Sequence, residues 1–172
     1  MADALSGALI VTAELAGEDF AWLNALRRRH YPPERNQVPA HLTMFHALPP
    51  SAEQEIRARL AEMAAGPAPA ASIAGVMNLG NGVALRVVSD GLDAIRDEFG
   101  GALHGLLGAQ DGGGWRPHVT IQNKVEPKVA RSLRQSLERD FQPRPLHIAG
   151  LGLHRYLGGP WETLRVYPFR KR

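Results

Sequence analysis

HLTMFHALPP (41–50) is the stretch that decides how the chain is read. In a strand, side chains at i and i+2 share a face roughly 7 Å apart. His41 and Thr43 therefore point one way, and Leu42 and Met44 the other. HVTIQNKVEP (118–127) repeats the arrangement, with His118 and Thr120 on one face and Val119 and Ile121 on the opposite one. Each strand then has an apolar face for a core and a polar face that offers an imidazole beside a hydroxyl. Burying that polar face without partners is costly, whereas a cleft holding an anionic ligand makes use of it.

One such strand is ordinarily a core histidine bonded to a carbonyl. Two copies shift the balance, because the chain has only seven His and four Thr and both copies fall in strand-like runs. Two histidines suit acid–base work: the imidazole titrates near neutrality, so one ring can be neutral while the other is charged. A positioned acid or base typically contributes about 10²–10⁴ in rate. Threonine hydroxyls can donate to the nonbridging oxygens of a phosphate while charge redistributes. A 2′,3′-cyclic phosphate could be opened this way without metal.

Working outward, residues 7–15 are strand-like and GEDFAWLNALRRRHY is a helix, acidic in its first turn and basic in its last. Pro32, Pro33 and Pro39 break the chain before the strand at 41–48. Ser51 and Gln54 form a capping box ahead of a helix bearing Ile56, Leu60 and Met63. Strands at 70–79 and 83–89 meet in a tight hairpin at Asn81-Gly82. Asp90 caps a helix running through Leu92, Ile95, Phe99, Leu103 and Leu106, weakened at Gly100-Gly101. GAQDGGGW is a flexible lead-in to a strand at 117–124. A helix opened by Pro127 and two strands, 145–155 and 161–169, complete the chain.

The bulk numbers agree with a folded enzyme-sized unit. The 172 residues fit one domain or two small lobes sharing a core, and 44% hydrophobic against 22% charged residues argues against disorder. The absence of cysteine leaves no thiolate metal site and makes a reducing cytoplasm the simplest setting. MADALSGALIVTAEL lacks the basic start of a signal peptide, and its apolar run is too short for a membrane span. A net charge of +3 permits an anionic partner without demanding one. Seventeen Arg against three Lys, with abundant Ala, Gly and Pro, suggests GC-rich, bacterial coding.

Two H-x-[ST]-x motifs about eighty residues apart resemble the signature of the 2H phosphoesterase superfamily. That superfamily includes the bacterial 2′-5′ RNA ligase-like proteins and RNA 2′,3′-cyclic phosphodiesterases. The resemblance extends over the opening strand and helix, VPAHLTMFHALPP, GWRPHVTIQNKV and LGLHRYLGGPWETLRVYPF. It implies an α+β fold over residues 1–172, a single bilobal domain in which two antiparallel sheets face a central cleft with helices outside. It implies His41 and His118 as the acid–base pair, with His118 as base and His41 as acid. Thr43 and Thr120 become the phosphate holders. The expected substrates are RNA ends or nucleotides with a cyclic phosphate, with reverse 2′-5′ ligation as a second use of the site. No cofactor, membrane association or obligate protein partner is implied. Two other readings stand beside it: a non-catalytic RNA- or nucleotide-binding module, and an esterase for a small cyclic phosphate unrelated to RNA.

Many relatives place an Arg shortly after the second motif, where this chain has Asn123 and Lys124. On a continuing strand Lys124 would share the face of His118 and supply a weaker, unforked phosphate contact. His46, five residues from His41, should face away from it. Trp115 and Tyr156 are candidates for stacking on a base, whereas Phe45 reads as core. His30, His104, His147 and His154 have no partners at ligand spacing, so no metal site is expected. RRRH (27–30) reads as a solvated helix end, FRKR (169–172) as a frayed basic tail, and DGGG (111–114) lacks the Lys of a P-loop.

Overall fold

The computed structural model describes residues 7–170. Seven strands and five α-helices alternate as β1 (Leu9–Leu15), α1 (Gly17–His30), β2 (Leu42–Leu48), α2 (Glu53–Ala64), β3 (Ala70–Asn78), β4 (Val83–Val88), α3 (Asp90–Ala102), α4 (Ala109–Gly112), β5 (His118–Gln122), α5 (Pro127–Arg139), β6 (Arg144–Tyr156) and β7 (Trp161–Pro168). Every pairing between these strands is antiparallel, in the order β2-β1-β6-β3-β4-β5, with β7 pairing β6 off that path. The expected two antiparallel sheets are joined through β6. Residues Arg144 to His147 pair with β3, while Ile148 to Tyr156 pair with β1 and β7.

The order is a palindrome. Exchanging β1, β2, β3 for β4, β5, β6 reverses it onto itself, so each His-x-Thr strand lies at one end of the path. The sheet curves enough for those ends to meet: β2 touches β5, and α1 packs on β5 as well. Leu9, Val11, Leu42, Phe45, Leu85, Val119, Leu151 and Leu153 belong to one apolar core under both halves. Phe45 and Phe99 anchor it with ring centroids 5.2 Å apart.

Local chemistry shifted several element ends. The capping box at Ser51 does not form. Pro50–Ala52 is a 3₁₀ turn, and α2 starts at Glu53 without a side-chain cap. Ser89, not Asp90, caps α3, its hydroxyl accepting from the Leu92 amide at 3.1 Å. That helix stops at Ala102, after the glycine pair, and His104–Leu106 is a separate 3₁₀ turn. In the β3–β4 hairpin the left-handed residue is Gly80, at φ +82°. Gly82 serves close approach instead, since a Cβ there would strike the Gln122 carbonyl. The expected flexible lead-in holds α4. The tail is pinned as far as Arg170, whose amide donates to Ala64 and Gly66, while Lys171 and Arg172 lie outside the described residues.

Candidate active site

His41 precedes β2 and His118 opens β5, and both are half-buried. Each ring is held in the same way. His41 Nδ1 lies 2.8 Å from the Pro39 carbonyl, and His118 Nδ1 lies 2.7 Å from the Arg116 carbonyl. A carbonyl only accepts, so Nδ1 carries the proton in both, and Nε2 is the unprotonated nitrogen of the neutral ring. Trp161 packs against the His41 ring at 4.6 Å. Burial in these surroundings pushes the His41 imidazole down to about 4, favouring its neutral form.

Thr43 pairs in register with Thr12 of β1, which puts their side chains on one face. Thr43 and His118, one from each motif, line a single cavity of about 280 Å³ together with Arg116 and Trp115. The Thr120 carbonyl receives Arg27 Nη1 at 3.0 Å. Arg27 is 3% exposed, so it is no solvated helix end. Its Nε donates to Asn36 at 2.7 Å, and its guanidinium lies 4.2 Å from the Tyr31 ring centroid. Among the described residues no carboxylate lies within ion-pair distance of it.

His46 departs from the alternation argument. Thr12 pairs with Thr43 and Val11 with Phe45, so two residues of β2 face one of β1 in a β-bulge. Met44 and Phe45 are both buried as a result, and His46 returns to the face of Thr43, lining the same cavity. There Asp111 holds it: the His46 and Ala47 amides donate to the two carboxylate oxygens at 2.7 and 2.8 Å, and His46 Nδ1 lies 3.2 Å away. Arg96 fastens the other side. It donates to the Met44 carbonyl at 2.8 Å and the Asp111 carbonyl at 2.6 Å, over the Phe45 ring.

Lys124 is not on a continuing strand. β5 ends at Gln122, and Lys124 sits at φ 62°, so even spacing from His118 no longer fixes its face. Trp115 does reach the cavity of His118, where its indole N–H donates to the Thr43 carbonyl. Tyr156 pairs in register with Trp161 at the far end of β6, and Trp161 is the aromatic that meets His41. Nothing in the sequence singles out Trp161, because its proximity arises only when β7 folds back on β6.

His154, partnerless at ligand spacing in the sequence, is the centre of a network. Its Nε2 lies 2.9 Å from Thr12 Oγ1 and its Nδ1 3.0 Å from Thr163 Oγ1, and Thr12 reaches Glu14 at 3.4 Å. Burial pushes the His154 imidazole to about 4 and raises the Glu14 carboxyl. A Cβ on Gly152 would stand 2.6 Å from Thr12 Oγ1, 2.7 Å from Glu14 Oε1 and 2.8 Å from His154 Nε2, so glycine lets the three converge. They border a second cavity, of about 510 Å³, that also opens on His41 and Trp161.

Among the described residues no group of three or more His, Cys, Asp or Glu is placed to hold a metal, and no helix is long and apolar enough to cross a membrane. None of the curated proteins matches the chain. Among solved structures, TT0787 of Thermus thermophilus is 18% identical with a TM-score of 0.67, covering 96% of this chain and 99% of its own. Escherichia coli LigT is 16% identical over the same shares, with TM-scores of 0.61 as its 3′-AMP complex and 0.63 as its ATP complex. These likenesses establish the fold. The family model of the 2′-5′ RNA ligase superfamily matches residues 15–160. The chain therefore belongs to the 2′-5′ RNA ligase superfamily, the 2H phosphoesterase group that its paired motifs resemble.

Proposed function

We propose that the protein is a metal-independent phosphodiesterase that opens 2′,3′-cyclic phosphates on RNA ends or nucleotides. One observation carries the reading: two imidazoles, one from each half of the sheet, both spend Nδ1–H on the carbonyl two residues upstream and have no described residue hydrogen-bonded to Nε2. In this scheme the cyclic phosphate sits between them, with the Thr43 and Thr120 hydroxyls donating to its nonbridging oxygens. A neutral imidazole takes a proton from water as the new P–O bond forms. The opposite, protonated ring gives its proton to the ribose oxygen as the old P–O bond breaks, leaving a phosphomonoester and a free hydroxyl.

The low pKa of His41 favours it as the base, with His118 as the acid, the reverse of the division that the family resemblance implies. With an RNA 5′-hydroxyl in place of water the same forward step forms a P–O5′ bond as the P–O3′ bond breaks and the 3′-oxygen takes the proton, which would give a 2′-5′ linkage. The nucleotide-bound forms of LigT support a nucleotide ligand here.

The test is incubation with 2′,3′-cyclic nucleotides and cyclic-phosphate-ended RNA, with and without EDTA. Wild type should release a 2′- or 3′-phosphate unaffected by chelation. His41→Ala and His118→Ala should each lose about 10²–10⁴ in rate while remaining folded. Folded and fully active histidine variants would refute the assignment, and binding without product would leave only a nucleotide-binding module.

A further inference from the structure

The 510 Å³ cavity beside His41 lies within the range of about 300–1,000 Å³ typical of small-molecule sites. Its chemistry is unlike that of a phosphate site. Leu15, Phe20, Val38, Pro39 and Val166 supply apolar walls, Trp161 supplies a flat one, and among the described residues no Lys or Arg borders it. Among the described residues, the one ionisable side chain on its border besides the two histidines is Glu14. An anion would be repelled there, whereas a flat, neutral group with an N–H to donate would be drawn in.

Glu14 is poised for such a donor. Its Oε2 takes the long bond from Thr12, and its Oε1 receives no hydrogen bond from any described residue. The Thr12 hydroxyl and His154 Nε2 stand beside it above Gly152, and those two atoms already bond each other. Partial burial without a strong donor raises the carboxyl, so a ligand N–H on Oε1 would relieve a desolvated charge.

We propose that this cavity is a nucleobase subsite in which the Glu14 carboxylate accepts from an exocyclic amine, so that adenine, cytosine and guanine are admitted over uracil. The inference rests on the phosphodiesterase reading, which puts the phosphate at His41 next door. Each of the three favoured bases projects an amine that a carboxylate oxygen can reach. Uracil has none: its one ring N–H on that edge lies between two carbonyl oxygens that face the carboxylate lone pair to lone pair. Trp161 holds the ring plane without regard to base identity.

Binding of the 3′-monophosphates of adenosine, cytidine, guanosine and uridine, measured by calorimetry, tests this without turnover. Wild type should bind the uridine nucleotide about tenfold more weakly than the other three, the scale of one base-edge contact. Glu14→Gln, whose amide both donates and accepts, should narrow that gap to less than threefold. Its circular dichroism should match wild type, which separates lost selectivity from a lost fold. Equal wild-type affinity for all four, or an unchanged gap in Glu14→Gln, would overturn the proposal. Selective binding with no cyclic phosphate hydrolysed would sink the phosphodiesterase reading and leave the subsite standing; hydrolysis without selectivity would do the opposite.

Discussion

The indole of Trp115 donates its Nε1–H to the carbonyl oxygen of Thr43 at a distance of 3.1 Å. The next carbonyl along, that of Arg116, accepts Nδ1–H of His118. Two adjacent residues of one loop thus grip the threonine of the first motif and the histidine of the second. A segment rich in glycine can do this only if something else fixes it, and Asp111 does.

Asp111 is 2% exposed. Burial works against its charge, but the His46 ring and the His46 and Ala47 amides outweigh it and hold the carboxyl below its usual range. Asp111→Asn keeps one acceptor and loses the charge. It should cost about 1.5–3 kcal/mol in urea unfolding, the range for hydrogen bonds to a charged group. Because the native pKa is depressed, this contribution is present above the unfolded pKa near 3.8 and disappears as pH falls through the native value. An Asn variant as stable as wild type at pH 7 would show that the loop is fixed some other way.

His41 and His154 both lie near 4 instead of 6.5, because burial disfavours their charged forms. The unfolded chain therefore binds more protons than the native one between those values. Stability should be at its plateau above about pH 6.5 and fall steadily towards pH 4. Urea midpoints at pH 7.5, 5.5 and 4.5 read this directly. His154→Asn should flatten part of the slope, and a midpoint that does not move with pH would contradict the burial of both rings.

Much of the local geometry at the candidate site was legible from spacing alone. The i, i+2 geometry of a strand is fixed by covalent chemistry, so the shared face of His118 and Thr120 needed no tertiary knowledge. What failed was whatever depended on a break in that period. The bulge at Met44-Phe45 turned His46 back to the face of Thr43, and the left-handed backbone at Lys124, beyond the end of β5, left the face of that cation unfixed by the strand period. The burial of Arg27 and the pairing of His154 with Thr12 and Thr163 were illegible for a different reason. They join residues 93, 142 and 9 positions apart, and only the folded sheet brings these together.

The pH–rate profile discriminates between the two divisions of labour. If His41 is the base, it must be unprotonated in the free enzyme, so kcat/KM should hold down to the neighbourhood of pH 4 before its acid limb falls. Measured on a cyclic mononucleotide with chemistry limiting, an acid limb lying well above pH 4 would take the base role away from His41. A profile flat between pH 5 and 9 would remove the two-histidine mechanism altogether, because its protonated partner must still be lost on the alkaline side.

Arg27 makes the last prediction. Its guanidinium is buried and tied to Asn36 and the Thr120 carbonyl, with no carboxylate among the described residues to neutralise it. Its charge disfavours protonation of His41, which places it within electrostatic reach of that ring. An uncompensated buried cation is costly in the free protein, and an anion between the motifs would supply the missing charge. A buried unit charge acting on an anion across roughly 6–10 Å contributes about 1.5–3 kcal/mol at an effective dielectric near 20. Arg27→Met keeps much of the side-chain volume and removes the charge. Phosphate should raise the Tm of wild type and raise that of Arg27→Met much less, with phosphate affinity reduced by about tenfold or more. Added sodium chloride should not reproduce the difference, since a charge inside the fold is weakly screened. If both proteins respond equally to phosphate, Arg27 serves only to tie α1 to β5 and takes no part in anion binding.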